Sequence, residues 1–231
     1  MALILNIETS TNVCSVALTD NGMVLQRHED YKGQNHAALL SGYIKECLDE
    51  VDRRGLKLDA VAVSIGPGSY TGLRIGLSEA KGLAYALNIP LIGVDTLKIM
   101  AVSVMFRHDI DPDALFIPMI DARRMEVYTS VLDLSLNQLM KPSPLILDDS
   151  SYSGWIGSGR QILMFGNGSD KAQTVISAAN VKFIPNVNPI AADMLALAER
   201  AFRQNDFLDL AYSVPAYLKD FQATKPKPLL D

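Results

Sequence analysis

The sequence predicts an α/β fold of two duplicated halves, each running β-β-β-α-β-α-β-α, set around a cleft. Three observations carry this. Apolar runs of strand length alternate with segments of helical periodicity. A glycine-rich turn, Ser64-Ile65-Gly66-Pro67-Gly68-Ser69-Tyr70-Thr71-Gly72-Leu73-Arg74-Ile75-Gly76, joins a strand to a long helix. Finally, Ile7-Glu8…Asp20 is echoed by Ile120-Asp121…Asp133. Each copy has an apolar residue and an acid at a strand end, a short turn, an alternating strand and an Asp at the same offset. This weak internal repeat indicates duplication. The halves are expected at residues 1–108 and 109–231, joined by a linker over 107–113 that holds His108 and Pro112.

In chain order, residues 2–8 and 13–18 read as strands, and Asn21-Gly22 is a hairpin signal leading into a strand over 23–27. Residues 34–51 show helical spacing through Leu40, Tyr43, Ile44, Cys47, Leu48 and Val51. A strand over 60–65 precedes the glycine turn, and the following helix ends near Leu87. A strand over 91–94 and a helix over 96–106 complete the first half. The second half opens with strands at 116–120 and 125–132. An edge strand at 145–147, a Ser/Gly-rich stretch at 150–159 holding Trp155, and a strand at 162–165 follow. Gly166-Asn167-Gly168-Ser169 reads as a helix-entry turn, or as a contact for an adenosine. Helices are expected at 170–178 and 189–203, the latter with Leu195, Ala198 and Phe202 on one face. The tail over 224–231 is expected to be mobile.

The glycine turn and its helix are the most distinctive stretch. Gly66 and Gly68 flank Pro67 and permit a tight backbone, and Ser69 is placed to cap the helix. Thr71 and Arg74 lie in its first turns. No Gly-Lys-Ser/Thr closes the turn, so it is not a Walker loop. Gly72, Gly76, Ala80 and Ala84 then recur every fourth residue, with Leu73, Leu77, Leu83 and Leu87 beside them. Interior glycines cost roughly 1 kcal/mol each against alanine, so something must approach that smooth stripe. It is either the chain's own core or another subunit. The expectation adopted is a partner interface formed by Tyr70, Gly72, Leu73, Gly76, Leu77, Ala80 and Ala84.

The stretch from Gly66 to Gly76 resembles the signature of the TsaB (YeaZ) family. Ile7-Glu8-Thr9-Ser10-Thr11, Asp121-Ala122-Arg123-Arg124-Met125-Glu126-Val127-Tyr128 and Pro215-Ala216-Tyr217-Leu218-Lys219 match the same family, in order, over nearly the whole chain. The resemblance implies the actin/hexokinase-like (ASKHA) fold. It implies a catalytically reduced subunit in the making of threonylcarbamoyladenosine in tRNA, docking and activating a catalytic partner, TsaD. An ATPase, TsaE, would join in bacteria, and tRNA would be met only through the complex. No cofactor of its own is implied; ATP or ADP has a place only at the complex interface. A homodimer is expected when the chain is alone, and a cytoplasmic location.

Composition agrees with a globular chain: 231 residues, 48% hydrophobic and 20% charged, suffice for a substantial core. A net charge of -5 and a pI near 5.2 make a poor platform for phosphate backbones, so the chain alone is not expected to hold tRNA. Met1-Ala2-Leu3 runs into a strand without a basic region, and no apolar run reaches membrane-spanning length. Cys14 and Cys47 match no zinc spacing and read as buried free thiols in a reducing compartment.

The other function class is an enzyme in its own right, a small-molecule kinase or a glycoprotease-like peptidase. Kinases of a duplicated-half fold need turns where backbone approaches phosphate closely, which favours glycine. The turns Glu8-Thr9-Ser10-Thr11-Asn12 and Asp121-Ala122-Arg123-Arg124 contain none. His28, His36 and His108 form no i,i+4 pair, which excludes a helical His-x-x-x-His metal site, and no metal is expected. His36 is placed at an exposed helix start. No Gly-x-Ser-x-Gly elbow occurs. Glu8, Thr9, Ser10, Asp121, Arg123 and Arg124 are the candidate cleft residues. Glu8 and Asp121 read either as paired carboxylates or as strand-end acids bonded to nearby turns. Arg74, Arg123 and Arg124 could together hold phosphate or a partner's carboxylates.

Overall fold

The computed structural model describes residues 2–33 and 35–219. The expected mobile tail at 224–231 lies outside these residues. Two five-stranded sheets form the frame. The first contains β1 (Leu3–Glu8), β2 (Cys14–Asp20), β3 (Met23–Asp30), β4 (Ala60–Gly66) and β5 (Leu91–Asp95), in the order β3-β2-β1-β4-β5. β1 is antiparallel to β2, with Glu8 opposite Ser15, and parallel to β4, with Ile4 opposite Ala60. The second contains β6 (Leu115–Asp121), β7 (Glu126–Leu132), β8 (Gln138–Ile146), β9 (Ile162–Phe165) and β10 (Val181–Ile184), in the order β10-β9-β6-β7-β8. β6 is antiparallel to β7 and parallel to β9. Read from its first strand, each sheet therefore repeats one plan, and Glu8 and Asp121 end equivalent strands. Asn21 and Gly22 take left-handed conformations (φ 50° and 77°) and close the β2–β3 hairpin as expected.

The central strands β1 and β4 are covered on both faces, which is why they are largely apolar runs, whereas the edge strand β3 is polar and partly exposed. On one face lie α1 (His36–Arg53) and α2 (Tyr70–Leu87), packed on Leu5, Ile7, Val16, Leu18, Val61 and Val63. α1 buries His36, Leu40, Ile44, Cys47 and Val51, a stripe of one residue per turn. His36 is thus an inward-facing residue, contrary to expectation, with Nε2 3.3 Å from the Val13 carbonyl. The other face receives α3 (Thr96–Arg107) and the last elements, a 3-10 turn (Ala191–Met194) running into α6 (Leu195–Gln204). Asp95 caps α3 by accepting from the amides of Leu97 (2.8 Å) and Lys98 (3.3 Å). α3 is buried nearly all round because it also packs on the second sheet through Leu97, Met100, Ala101 and Val104.

α6 belongs spatially to the first sheet. Ala191, Met194 and Ala198 pack on Ile4, Ala17, Ala62 and Ile92. Ser15 Oγ accepts from the Ala191 amide (2.9 Å), and Glu199 Oε1 accepts from the Gly22 amide (2.8 Å). Arg107 clasps Asp193 through two bonds of 3.0 and 2.9 Å, fixing α3 to the turn. The second half is sparer than the duplicated plan: α4 (Ser153–Ile156) and α5 (Ser169–Gln173) are single turns. The helix expected over 170–178 stops at Gln173. The edge strand expected at 145–147 is the longer β8.

Candidate functional site

Equivalent strand ends place two turns toward one another across a cleft of about 580 Å³. Ser10, Thr11 and Asn12 line it from the turn after β1, and Asp121, Ala122 and Arg123 from the turn after β6. Pro67, Gly68, Ser69, Tyr70 and Thr71 form a third wall, with Leu73 beneath, and Asn167 and Tyr128 contribute from the second half. Residues 216–219 lie along the same cleft.

The glycine loop is shaped by close approach. Gly66 has φ 114°, which disfavours other residues. A methyl on Gly68 would sit 2.3 Å from the Ser10 carbonyl oxygen. The Ser69 amide donates to that same oxygen at 2.6 Å. Ser69 Oγ caps α2 by accepting from the Gly72 amide at 3.2 Å. So the loop locks onto the turn after β1, and Ser69 performs the capping read from the sequence.

The smooth stripe of α2 faces inward, which overturns the expected partner interface. Gly72, Leu73, Gly76, Leu77, Ala80 and Ala84 are all buried in the chain's own core. A methyl on Gly72 would lie 2.1 Å from the Thr9 carbonyl oxygen, and one on Gly76 2.2 Å from Thr9 Oγ1. Thr9 Oγ1 donates to the Gly72 carbonyl at 2.8 Å. The glycines admit the turn after β1, not a second subunit. Of the seven expected interface residues only Tyr70 is exposed, and its ring stacks on Tyr217 with centroids 4.9 Å apart.

The candidate cleft residues divide. Ser10, Asp121 and Arg123 line the cleft. Glu8 and Thr9 are fully buried behind its wall. Glu8 Oε1 accepts from the Ser10 amide at 2.6 Å. Burial pushes its carboxyl above the usual range, while nearby groups of Ser10, Ser64 and Thr9 pull the other way. Asp121 accepts from the Arg123 amide (2.7 Å) and forms an ion pair with Lys171, and its own amide donates to Asn167 Oδ1 (2.9 Å). Glu8 and Asp121 are therefore strand-end acids bonded to their own turns, not paired carboxylates, although Glu8 Oε2 is buried without a hydrogen-bond partner among the described residues. Asn167 serves the same turn.

Arg123 and Arg124 form the tip of the β6–β7 hairpin with φ 71° and 49°. Side chains reach this region at a steric cost. Among the described residues neither guanidinium makes an ion pair. The expected three-arginine group is not assembled in the cleft: only Arg123 lines it. Arg74 instead donates to Tyr70 Oη at 2.9 Å and lies 5.4 Å from that ring's centroid.

Sequence reasoning assigned no role to Tyr128, Lys171, Tyr217 or Lys219. The Ala216 amide donates to the Ile65 carbonyl at 2.7 Å, and Lys219 pairs with Glu126. The available signals were the Asp121–Tyr128 and Pro215–Lys219 motifs themselves; Lys171 had none. Chemically, the cleft offers hydroxyls, side-chain amides, tyrosine rings, the Asp121 carboxylate, the Lys219 ammonium and the Arg123 guanidinium. No histidine lines it: His28 stacks on Tyr43, His36 meets Val13, and His108 borders a separate cavity of about 190 Å³. Among the described residues no three His, Cys, Asp or Glu side chains gather as a metal set. Cys14 and Cys47 are buried, and burial raises their thiols to about 11 and about 12, which makes them poor nucleophiles.

Two sheets of one repeated plan, meeting at a cleft where equivalent strand ends face each other, define an actin/hexokinase-like (ASKHA) protein. A family profile described as "TsaD: tRNA N6-adenosine threonylcarbamoyltransferase" matches residues 25–227. The chain is 28% identical over 235 residues to the tRNA threonylcarbamoyladenosine biosynthesis protein TsaB of Escherichia coli, covering 97% of this chain and 98% of that one. It is 34% identical over 149 residues to the Bacillus subtilis protein of the same name, covering 63% of each, just under two thirds. The structure of YeaZ from Pseudomonas aeruginosa superimposes with a TM-score of 0.80 at 26% identity, covering 94% of this chain and all of that one. The chain belongs to the TsaB (YeaZ) family.

Proposed function

We propose that this chain is a non-catalytic subunit of the machinery that makes threonylcarbamoyladenosine in tRNA, and that it docks and activates a TsaD-type transferase. The names of its relatives support the pathway. The docking surface is the outer face where α1 meets α2, not the buried stripe. One observation carries this. Gly42 and Gly82 sit inside helices at a cost of roughly 1 kcal/mol each, yet a methyl on either would meet nothing within 4 Å in the chain itself. Ser41 Oγ donates to Glu79 Oε1 at 2.8 Å, joining the two helices between these glycines. Tyr85, one turn on and 80% exposed, supplies apolar area beside Gly82. A partner helix laid there explains glycines that the chain's own packing does not.

Within this reading the glycine-free turns leave nucleotide chemistry to the partner, and ATP or ADP is held at the joint interface. TsaE completes the assembly, tRNA is met through the complex, and the same α1–α2 face makes a homodimer when the partner is missing. The compartment is the cytoplasm; among the described residues no helix is long and apolar enough to cross a membrane. The test is Gly82→Leu, purified with and without the TsaD of the same organism. The mutant should melt no lower than wild type, fail to bind the transferase, abolish modification by the reconstituted complex and sediment as a monomer. Undiminished binding and modification would refute the assigned surface.

A further inference from the structure

The inter-sheet cleft already holds a peptide, and that peptide is the chain's own. Residues 215–219 leave the first half, cross the cleft mouth and end on the second half. Three contacts of different kinds fix them. The Ala216 amide bonds the Ile65 carbonyl like an added strand residue, at 2.7 Å. Gly66 leaves room for it: a methyl there would lie 3.0 Å from the Ala216 carbonyl oxygen. The Tyr217 ring stacks on Tyr70, whose hydroxyl is bonded by Arg74. Lys219 pairs with Glu126 at the base of the β6–β7 hairpin. Just upstream, Lys81 Nζ donates to the carbonyls of Ala211 (3.3 Å) and Ser213 (2.7 Å), so the segment is reeled along α2 before it enters the cleft. Each contact is of a kind that is weak and reversible at a wet surface.

We propose that the cleft is a peptide-binding groove whose resident ligand, bound in cis, is residues 215–219. It takes a short non-helical segment with an aromatic side chain followed two residues later by a cation. One main-chain hydrogen bond sets its register, the Tyr70 ring takes the aromatic side chain and Glu126 takes the cation. One main-chain bond supplies position and the two side-chain sites supply specificity. It stands apart from the α1–α2 surface proposed above, because the contacts are made by the start of α2, the glycine loop and the second half.

The test uses the full chain. Tyr217→Ala/Lys219→Glu weakens the resident segment while leaving both walls intact. A fluorescent peptide, Ser-Val-Pro-Ala-Tyr-Leu-Lys-Asp, is titrated to about 1 mM, the effective concentration a short tether supplies. The double mutant should bind it at least about tenfold more tightly than wild type, where the cis segment competes. The same peptide with Ala for Tyr should bind neither protein. Equal binding to both proteins, or binding to neither, would overturn the proposal. A charge exchange guards against misfolding of the double mutant. Glu126→Lys and Lys219→Glu should each speed amide exchange in residues 66–69 and 120–123, and the combination should restore the wild-type rate. Unchanged exchange in both single mutants also overturns it.

Discussion

Gly72→Ala and Gly82→Ala place the same methyl on the same helix with opposite expected consequences. At Gly82 the methyl enters open space, so only helix propensity acts, a gain of about 1 kcal/mol. For a chain of this size that raises the melting temperature by about 2–4 °C. At Gly72 the methyl lands 2.1 Å from the Thr9 carbonyl oxygen, a main-chain atom that no rotamer change can remove. The turn bearing Thr9 is itself tied down by the Thr9–Gly72 bond of 2.8 Å and the Ser69–Ser10 bond of 2.6 Å. Overpacking costs about 1–3 kcal/mol, and loss of the Thr9 bond adds about 0.5–1.5. Subtracting the propensity gain leaves a net loss of about 0.5–3.5 kcal/mol, or a fall in melting temperature of about 1–14 °C. Calorimetry on the two mutants and wild type reads both signs directly. A Gly72→Ala protein as stable as Gly82→Ala would refute the inward-facing stripe.

Glu8, whose folded pKa is raised, binds its proton more tightly in the native state than in the unfolded one. Its contribution to stability is therefore full below the usual carboxylate value of 4.5 and is lost as pH rises through the raised folded value. Glu8→Gln should flatten that decline in denaturant midpoints measured at rising pH; an unchanged slope would contradict the assignment. Arg107→Met should lower stability by about 1–3 kcal/mol, the loss from breaking a buried ion pair discounted for the half-exposed arginine, because Asp193 is left buried without its partner; urea unfolding measures it. The isolated chain, acidic overall, should show no tight, salt-sensitive tRNA binding in fluorescence anisotropy at physiological ionic strength.

The first half was legible because β1 and β4 are buried on both faces and appear as largely apolar runs, and because Asn21-Gly22 marks the turn into the polar edge strand β3. The second half was less so. β10, Val-Lys-Phe-Ile, is four residues with a charge in it, below what periodicity detects. β8 contains Pro142 and Pro144, which argue against a strand until one sees that it is an edge strand, bonded to β7 alone. Ser10, Asp121 and Arg123, singled out through the repeat of strand-end acids, line one cleft. Nothing local could show that Glu8 turns inward while Asp121 faces outward. The stripe on α2 was equally visible and equally mute about direction. Its partner, Thr9, lies far away in sequence, and a smooth helix face looks the same whether it meets a turn or another chain. Lys171, Tyr217 and Lys219 joined the site only through the crossing of segments distant in sequence.

The return of α6 to the first sheet has a consequence for how the protein is made. Ile4, Ala17, Ala62 and Ile92 leave the ribosome early, but the Ala191, Met194 and Ala198 that cover them emerge about a hundred residues after Ile92. For most of synthesis one face of the first sheet has α3 over part of it and water over the rest. The half that is born first is thus finished last, and exposed strands of this kind are what chaperones bind and aggregates recruit. A ribosome that stalls before residue 191 releases a chain whose first sheet can never close.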